Sequence, residues 1–197
     1  MFSSFLVTLS QNEQRLQEAK FEILTSEASY LKSLSLLRSH FMNHPAFRDQ
    51  QHLDAQDRKA LFSFIIPVQE CSDRLLCDLE SCWQDSIMLL GLSKSIYKHA
   101  EKYFHVYISY CEHQGRLDRT LKRLKENNVS FKESLDHLEN DSILCGLNLH
   151  SFLMLPMQRI TRLPLLIDAV MTKLKSDDEE FENWKMTLAI LNKVFVI

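Results

Sequence analysis

The sequence is poor in the residues that interrupt regular structure, with only 3 glycines and 4 prolines among 197 residues. Because glycine and proline mark most turns, their scarcity favours long helices. Alternating apolar and polar runs bounded by hairpin residues are also missing, which argues against strands. Since 45% of the residues are hydrophobic, the chain can bury a core. We predict an all-α protein forming one large domain, or at most two small ones.

Other absences narrow the class of protein further. No apolar run reaches the length of a membrane span, and the N-terminus lacks the charged start and apolar core of a signal peptide. The net charge of −3 argues against a general nucleic-acid binder. Five cysteines without a secretory signal indicate reduced intracellular thiols, and without a CxxC pair no zinc site is predicted.

Motifs of catalysis are missing as well. The sequence contains no P-loop, GxGxxG, HExxH or GxSxG motif, and its 8 histidines are scattered. We therefore predict no covalent chemistry, no cofactor and no metal, and interpret the charged helix faces as a protein-binding surface.

The most informative stretch is residues 152–175, FLMLPMQRITRLPLLIDAVMTKLK. Its apolar side chains recur at helix spacing: Leu153, Met157, Ile160, Leu163, Ile167, Val170, Met171 and Leu174. Pro156 and Pro164 fall inside this pattern and favour a kink. A polar cluster lies between the prolines: Gln158, Arg159, Thr161 and Arg162. This cluster is either a binding face or the solvated side of a core helix.

Local signals place the remaining helices. Ser10 and Glu13 form a capping-box pattern, which predicts a first helix that runs to about Asn43. A second capping-box pattern, from Ser176 to Glu179, predicts the start of a last helix that is still periodic at the end of the chain. We expect Pro67 to kink or break the second helix, and Gly115 allows a turn. The other predicted helices span about 55–83, 85–99, 100–113, 116–127 and 129–140.

Glu27 is the exception on the apolar seam of the first helix. Lys20 is also on this seam, and we expect its stem to lie along the edge. The Glu27 carboxylate is either at the edge in water or buried, and a buried carboxylate would need a partner. Arg159 is the hypothesised partner.

Three segments resemble one family in order along the chain. LMLPMQRITRLPLLI resembles the third conserved region of the Dbl-homology domain, with the pattern L-x-x-P-x-Q-R-I-T-[RK]-Y-P-L-L-L, and Leu163 stands at its usual tyrosine. KHAEKYFHVYISYCEHQGRLDRTLKRL (98–124) resembles the second region, and RLQEAKFEILTSEASYLKSLSLL (15–37) the first. Five residues occupy the positions of the first-region pattern E-x-x-x-[TS]-E-x-x-Y-x-x-x-L: Glu22, Ser26, Glu27, Tyr30 and Leu34. The lead-in further resembles the ephexin-type subgroup.

This resemblance implies an elongated multi-helix bundle that activates Rho-family GTPases. Its first and third conserved regions would lie side by side and bind the GTPase. The implied domains are a lead-in at residues 1–10 and a Dbl-homology domain at 11–197, truncated in its C-terminal helix and without a pleckstrin-homology domain. The domain would bind the GTPase switch regions and stabilise the nucleotide-free state, which promotes GDP release and GTP loading.

Site residues are assigned by position in the family patterns. The GTPase-binding set is Glu22 for switch I, Arg162 for the switch II side, Ser26 and Gln158. The supporting set is Glu27, Arg159, Pro156 and Leu166. Gln158 has an alternative placement in the core under the binding face.

The partner and the alternatives follow from the same resemblance. The ephexin-type likeness favours the Rho subgroup, with Rac-type and Cdc42-like GTPases left open. The chain would be cytoplasmic and could reach the plasma membrane only through flanking domains. Its runner-up function is a catalytically silent helical scaffold, motivated by Pro67 and by an asparagine of the final helix that would fall beyond Ile197. Basic segments at 116–125 and 159–175 motivate a weaker third class, an RNA- or membrane-binding domain.

Overall fold

The computed structural model describes residues 9–50 and 52–195, with side chains described up to residue 193. Within those ranges the chain forms helices and no strand, so the all-α prediction is confirmed. The lead-in residues 1–8 and the predicted helical end at 196–197 lie outside the described residues. The helices are α1 Gln11–Leu36, α2 Pro45–Arg48, α3 Ala55–Phe62, α4 Ile65–Asp85, α5 Leu92–Lys102, α6 His105–Asn127, α7 Val129–Glu139, α8 Leu149–Met171 and α9 Glu179–Phe195.

The start and end of the first helix agree with the sequence signals. The backbone N–H of Ser10 donates to Glu13 Oε2 at 2.7 Å, and the Glu13 N–H reaches Ser10 Oγ at 3.4 Å, which is the reciprocal pattern of a capping box. A π-helical segment, Leu37–Met42, extends α1 towards Pro45. The predicted end near residue 43 is therefore confirmed.

Two predictions based on proline and glycine were wrong. The break between α3 and α4 falls at residues 63–64, and Pro67 is the third residue of α4. Proline is tolerated there because a first-turn N–H has no intrahelical partner to lose. Gly115 lies inside α6, with Gln114 and Leu117 buried on either side of it. Burial of the neighbouring side chains outweighs the cost of an internal glycine, about 1 kcal/mol.

Two helix starts were also misplaced. The helix predicted from residue 85 begins at Leu92, after Leu89 and Gly91 take positive φ values of 54° and 86°. A helix cannot run through such left-handed residues. The last helix begins at Glu179 rather than near Asp177. Before it, the Lys175 N–H donates to Asp178 Oδ2 at 2.7 Å in a turn, in place of the capping box predicted at Ser176.

Helix α8 runs unbroken from Leu149 to Met171, through both prolines. Each proline removes one hydrogen bond from the helix interior. Buried side chains on both sides of the prolines show that tertiary packing supports the helix through them. They include Leu153, Ile160, Leu163 and Ile167.

The chain divides into two compact units. Among the described residues, the first contains 9–29, 72–105 and 159–195, and the second contains 30–50, 52–71 and 106–158. Buried side chains of the first unit include Ile23, Leu75, Ile96, Ile167 and Trp184. The second unit has an aromatic core, in which the rings of Phe47 and Phe131 stack at 5.1 Å and those of Phe41 and Phe152 lie 5.9 Å apart.

Candidate GTPase-binding site on α1 and α8

A buried ion pair joins α1 to α8 within the first unit. Arg159 Nε donates to Glu27 Oε2 at 2.7 Å, and Arg159 Nη2 lies 2.6 Å from the same oxygen. The Ser72 hydroxyl donates to the other carboxylate oxygen. Glu27 is 0% exposed and Arg159 is 6% exposed. Of the two sequence-based alternatives for Glu27, the structure therefore shows the buried carboxylate with Arg159 as its partner.

Ser26 belongs to the same cluster. Arg159 Nη1 donates to Ser26 Oγ at 2.9 Å, and the Ser26 hydroxyl donates to the Ile23 carbonyl at 3.1 Å. The half-buried hydroxyl thus helps to orient the guanidinium. Its assignment to the GTPase-binding set stays a prediction.

A second ion pair, between Glu22 and Arg162, joins the same two helices and is exposed to solvent. Arg162 Nη2 donates to Glu22 Oε1 at 3.2 Å, and the two side chains are 59% and 53% exposed. Glu22 faces Arg162 while Glu27 faces Arg159, so α1 and α8 are antiparallel at this point. Exposed pairs are worth about 0–1 kcal/mol, so these two side chains can leave each other at little cost.

Exposed apolar side chains lie on both helices near the exposed pair. Phe21, next to Glu22, is 37% exposed and packs its ring edge-on against Trp83, with 5.9 Å between the centroids. Leu165, one turn after Arg162, is 69% exposed. Exposed apolar groups beside charged ones are typical of protein-binding surfaces. The chemistry available here is therefore recognition by ionic hydrogen bonds and apolar contact.

Leu166 and Leu163 of α8 are buried. Leu166 is 6% exposed and Leu163 is 1% exposed, so both pack in the core of the first unit. Leu163 occupies the usual tyrosine position of the family pattern without any polar atom to satisfy. The buried position of Leu166 is compatible with its predicted supporting role.

Three further α8 residues belong to the second unit. Pro156 is buried, as a supporting residue should be, whereas Gln158 is exposed. The alternative placement of Gln158 in the core is therefore wrong, and its assignment to the binding set stays a prediction. Met157, which the sequence pattern placed on the apolar stripe, is 38% exposed.

The sequence analysis missed the environment of Lys20. This residue was expected along the helix edge, but it is 2% exposed and forms an ion pair with Glu180 in the first turn of α9. The sequence did contain one indication that Lys20 is buried, namely its position on the apolar seam seven residues before Glu27. Both charged residues on that seam are in fact buried and paired.

Two further searches covered the residues that the structure describes. Among them, no group of three or more His, Cys, Asp or Glu side chains is arranged to hold a metal ion. Over the same residues, no helix has both the length and the apolar character that crossing a bilayer requires.

Comparison with known proteins identifies the family. The model of the RhoGEF domain matches residues 19–196, so the chain belongs to the RhoGEF domain family. It is 39% identical over 186 residues to human Rho guanine nucleotide exchange factor 16, a match that covers 94% of this chain and 26% of that protein. It is 40% identical over 177 residues to rat Ephexin-1, which covers 90% of this chain and 25% of that protein. The chain thus spans about a quarter of the length of these curated relatives.

Solved structures share the fold. The DH/PH domains of PDZ-RhoGEF, crystallised with GTP-γ-S-activated RhoA, match with a TM-score of 0.88 and 18% identity, over 98% of this chain and 55% of that chain. A Vav1 exchange factor structure matches with a TM-score of 0.82 and 22% identity, over 93% of this chain and 48% of that chain. The sequence-based recognition of the Dbl-homology family and of its all-α fold is therefore confirmed.

Proposed function

We propose that this chain is a guanine-nucleotide exchange domain, which binds the switch regions of a Rho-family GTPase and promotes GDP release and GTP loading. The exposed pair of Glu22 and Arg162 carries the proposal. The two residues come from the two segments that match the family's first and third conserved regions. They stand beside a buried ion pair that holds these segments together.

The mechanism requires no bond-breaking by this chain. An exchange factor accelerates nucleotide release by binding the nucleotide-free GTPase more tightly than either nucleotide-bound state. The Glu22 carboxylate offers acceptor oxygens to switch I. The Arg162 guanidinium offers N–H donors in a planar fork to the switch II side. Both groups are released by breaking one weak exposed pair.

The rest of the site is held ready for binding. Because Glu27 and Arg159 are fixed by contacts with each other and by the Ser72 hydroxyl, the backbones that carry Glu22 and Arg162 do not need to be ordered on binding. Preorganisation of this kind increases affinity by removing the entropic cost of ordering.

The partner belongs to the Rho family on this proposal. Support comes from relatives named as Rho guanine nucleotide exchange factors and from a structural neighbour crystallised with RhoA. We infer a preference for the Rho subgroup from the resemblance of the lead-in sequence to the ephexin-type subgroup, and Ephexin-1 is among the relatives. A cytoplasmic location, with recruitment to the plasma membrane through flanking domains, completes the proposal.

Release of a fluorescent GDP analogue tests the function. The purified chain is mixed with Rho, Rac-type and Cdc42-like GTPases separately, and release is compared with that of each GTPase alone. We expect acceleration, largest for Rho. A chain extended past Ile197 is assayed in parallel. No acceleration by either protein with any of the three GTPases would contradict the proposal.

One observation favours the silent scaffold as a second candidate. Glu22 and Arg162 satisfy each other in the unbound chain, so the face requires no GTPase to pair its charges. A silent scaffold would neither retain the nucleotide-free GTPase in a pull-down nor accelerate GDP release, whereas an active exchange domain would do both.

A further inference from the structure

Lys20 is a buried charge near the start of α1. Its side chain is 2% exposed, yet its ammonium group contacts two oxygens, the Glu180 carboxylate and, at 3.3 Å, the Met88 carbonyl. Burial of an ammonium group is costly unless it is paired and hydrogen-bonded. Both conditions are met here, which makes the geometry around Lys20 specific.

The partners of Lys20 belong to different parts of the first unit. Glu180 lies in the first turn of α9, and Met88 lies in the connection between α4 and α5. One turn before Lys20, Gln17 donates its amide N–H to the carbonyl of Ile87 in that same connection. The stretch of α1 from Gln17 to Lys20 therefore binds both the connection and the start of α9.

Glu22 lies between two buried ion pairs on α1. Lys20 pairs with Glu180 two residues before it, and Glu27 pairs with Arg159 five residues after it. Lys20 and Glu27 are seven residues apart and share one helix face, while Glu22 points from another face. The backbone that carries Glu22 is thus fixed at both ends, and the charge of Lys20 holds the end that Arg159 does not reach.

We propose that Lys20 is a positioning residue for nucleotide exchange, which holds the Glu22 segment of α1 against the first turn of α9. The proposal rests on the proposed function of the Glu22–Arg162 face and assigns part of its geometry to a residue outside that face. Lys20 does not contact the GTPase on this account. It acts through the placement of Glu22.

Four substitutions separate positioning from other effects. Lys20→Met keeps an unbranched stem of similar length but removes the charge, and Lys20→Arg keeps the charge. Lys185→Met removes an exposed lysine from α9, whose side chain is 61% exposed, and serves as the matched control. Glu180→Gln weakens the same pair from the other side and leaves the buried stem of Lys20 untouched.

The assay titrates each variant against a fixed amount of the responsive GTPase, at a temperature where circular dichroism shows full helicity. We expect Lys20→Met to lower the GDP-release rate at saturating chain by at least about tenfold, since a misplacement of about 1 Å can cost up to about a hundredfold. Lys20→Arg should recover most of that rate, and Lys185→Met should change nothing. If a variant only lost folded protein, more of the chain would be needed to reach half of the maximal GDP-release rate, and the maximal rate would be unchanged.

A double-mutant cycle with Glu180→Gln tests whether Lys20 acts through Glu180. We expect Glu180→Gln to lower the saturating rate in the same direction and Lys20→Met to have a smaller effect in the Glu180→Gln background. Hydrogen exchange of the isolated chain should show faster amide exchange at residues 17–25 and 179–185 in Lys20→Met, and no change in α7.

The outcomes distinguish the two proposals. If neither the unsubstituted chain nor the chain extended past Ile197 accelerates any GTPase, the proposed function fails and the role of Lys20 in exchange fails with it. If only the extended chain is active, the variants are compared in that chain. If the unsubstituted chain is active and folded Lys20→Met has the same saturating rate, only the positioning role is overturned. A reduced rate in both Lys20→Met and Glu180→Gln, with recovery in Lys20→Arg, supports the positioning role.

Discussion

The ion pairs Glu27–Arg159 and Glu22–Arg162 connect the same two helices but differ in their contact with water. The first pair is almost completely buried, with a hydroxyl donor from Ser72 on its second carboxylate oxygen. The second pair is more than half exposed and makes a single hydrogen bond of 3.2 Å. Two ion pairs of the same residue types, close together on the same helices, can therefore serve different purposes. The buried pair can hold the helices together, and the exposed pair can exchange its partner for a GTPase.

The largest effect is expected from adding a charge to the core of the first unit. Leu166→Arg places an unpaired guanidinium at a position that is 6% exposed, and we expect loss of more than about 4 kcal/mol or failure to fold. The neighbouring Leu165→Arg, at a 69% exposed position, is the matched control and should stay within about 0.5 kcal/mol of the unsubstituted chain. Urea unfolding followed by circular dichroism measures both. Similar losses in the two variants would show that the buried and exposed faces of α8 are misassigned.

Glu27→Ala should have the next largest effect. It leaves the Arg159 guanidinium buried without its carboxylate, so we expect a loss of about 3–5 kcal/mol in the free energy of unfolding. The double variant Glu27→Ala with Arg159→Met should lose less than Glu27→Ala alone, because the orphaned charge is gone. Urea unfolding again provides the measurement. A double variant less stable than Glu27→Ala would contradict this account of the buried pair.

The exposed pair should show the opposite behaviour. We expect Glu22→Ala and Arg162→Ala each to change the free energy of unfolding by less than about 1 kcal/mol, because exposed ion pairs contribute little. GDP release should fall at least about tenfold in each variant, the equivalent of one charged hydrogen bond in the exchange complex. Thermal unfolding and fluorescent GDP release, measured on the same samples, check the two halves of this prediction. If either variant unfolds, the exposed pair is structural and the contrast between the pairs disappears.

A smaller effect of pH sets the conditions for these comparisons. Burial, and then the charges of His40 and His137, lower the pKa of His44 below its ordinary value of 6.5. The His44 ring also accepts a hydrogen bond from the Ala46 N–H at 3.3 Å, which requires an unprotonated nitrogen. Well above pH 6.5 the ring is neutral in both folded and unfolded chains, so His44 adds no pH dependence there.

Below that pH the unfolded chain takes up the proton first. Stability should therefore fall as the pH drops below 6.5, until the folded-state pKa of His44 has also been passed. His44→Asn keeps a side chain that can cap the helix and should reduce this slope. Urea unfolding of both chains across this range measures it. An unchanged slope in His44→Asn would assign the pH dependence to other groups.

Much of the fold could be predicted from the sequence. The residues of the two ion pairs could also be predicted, but the burial of one pair and the exposure of the other could not. The helical periodicity of residues 152–175 is a local property, so α8 was predictable. The capping pattern at Ser10 and Glu13 is equally local and was found in the structure. The breaks expected at Pro67 and Gly115 were wrong, because each residue type permits several contexts and the packing of the surrounding helix decides among them.

The burial of the charged residues on the seam of α1 could not be predicted from the sequence. Periodicity placed Glu27 on the apolar stripe but could not decide between the edge and the core. For Lys20 the edge was expected, and it was wrong, because the burial of Lys20 depends on Glu180, which is 160 residues away in the chain. No local pattern encodes such a partner.

The sequence alone determined the all-α class, the family and the identity of the charged residues on α1 and α8. These depend on composition, on helical spacing and on motifs that are contiguous in the chain. Only the tertiary structure decided which charges are buried and which are exposed. The environment of a charge depends on the atoms that surround it, and those around Lys20 and Glu27 come from α4, α8, α9 and the connection before α5.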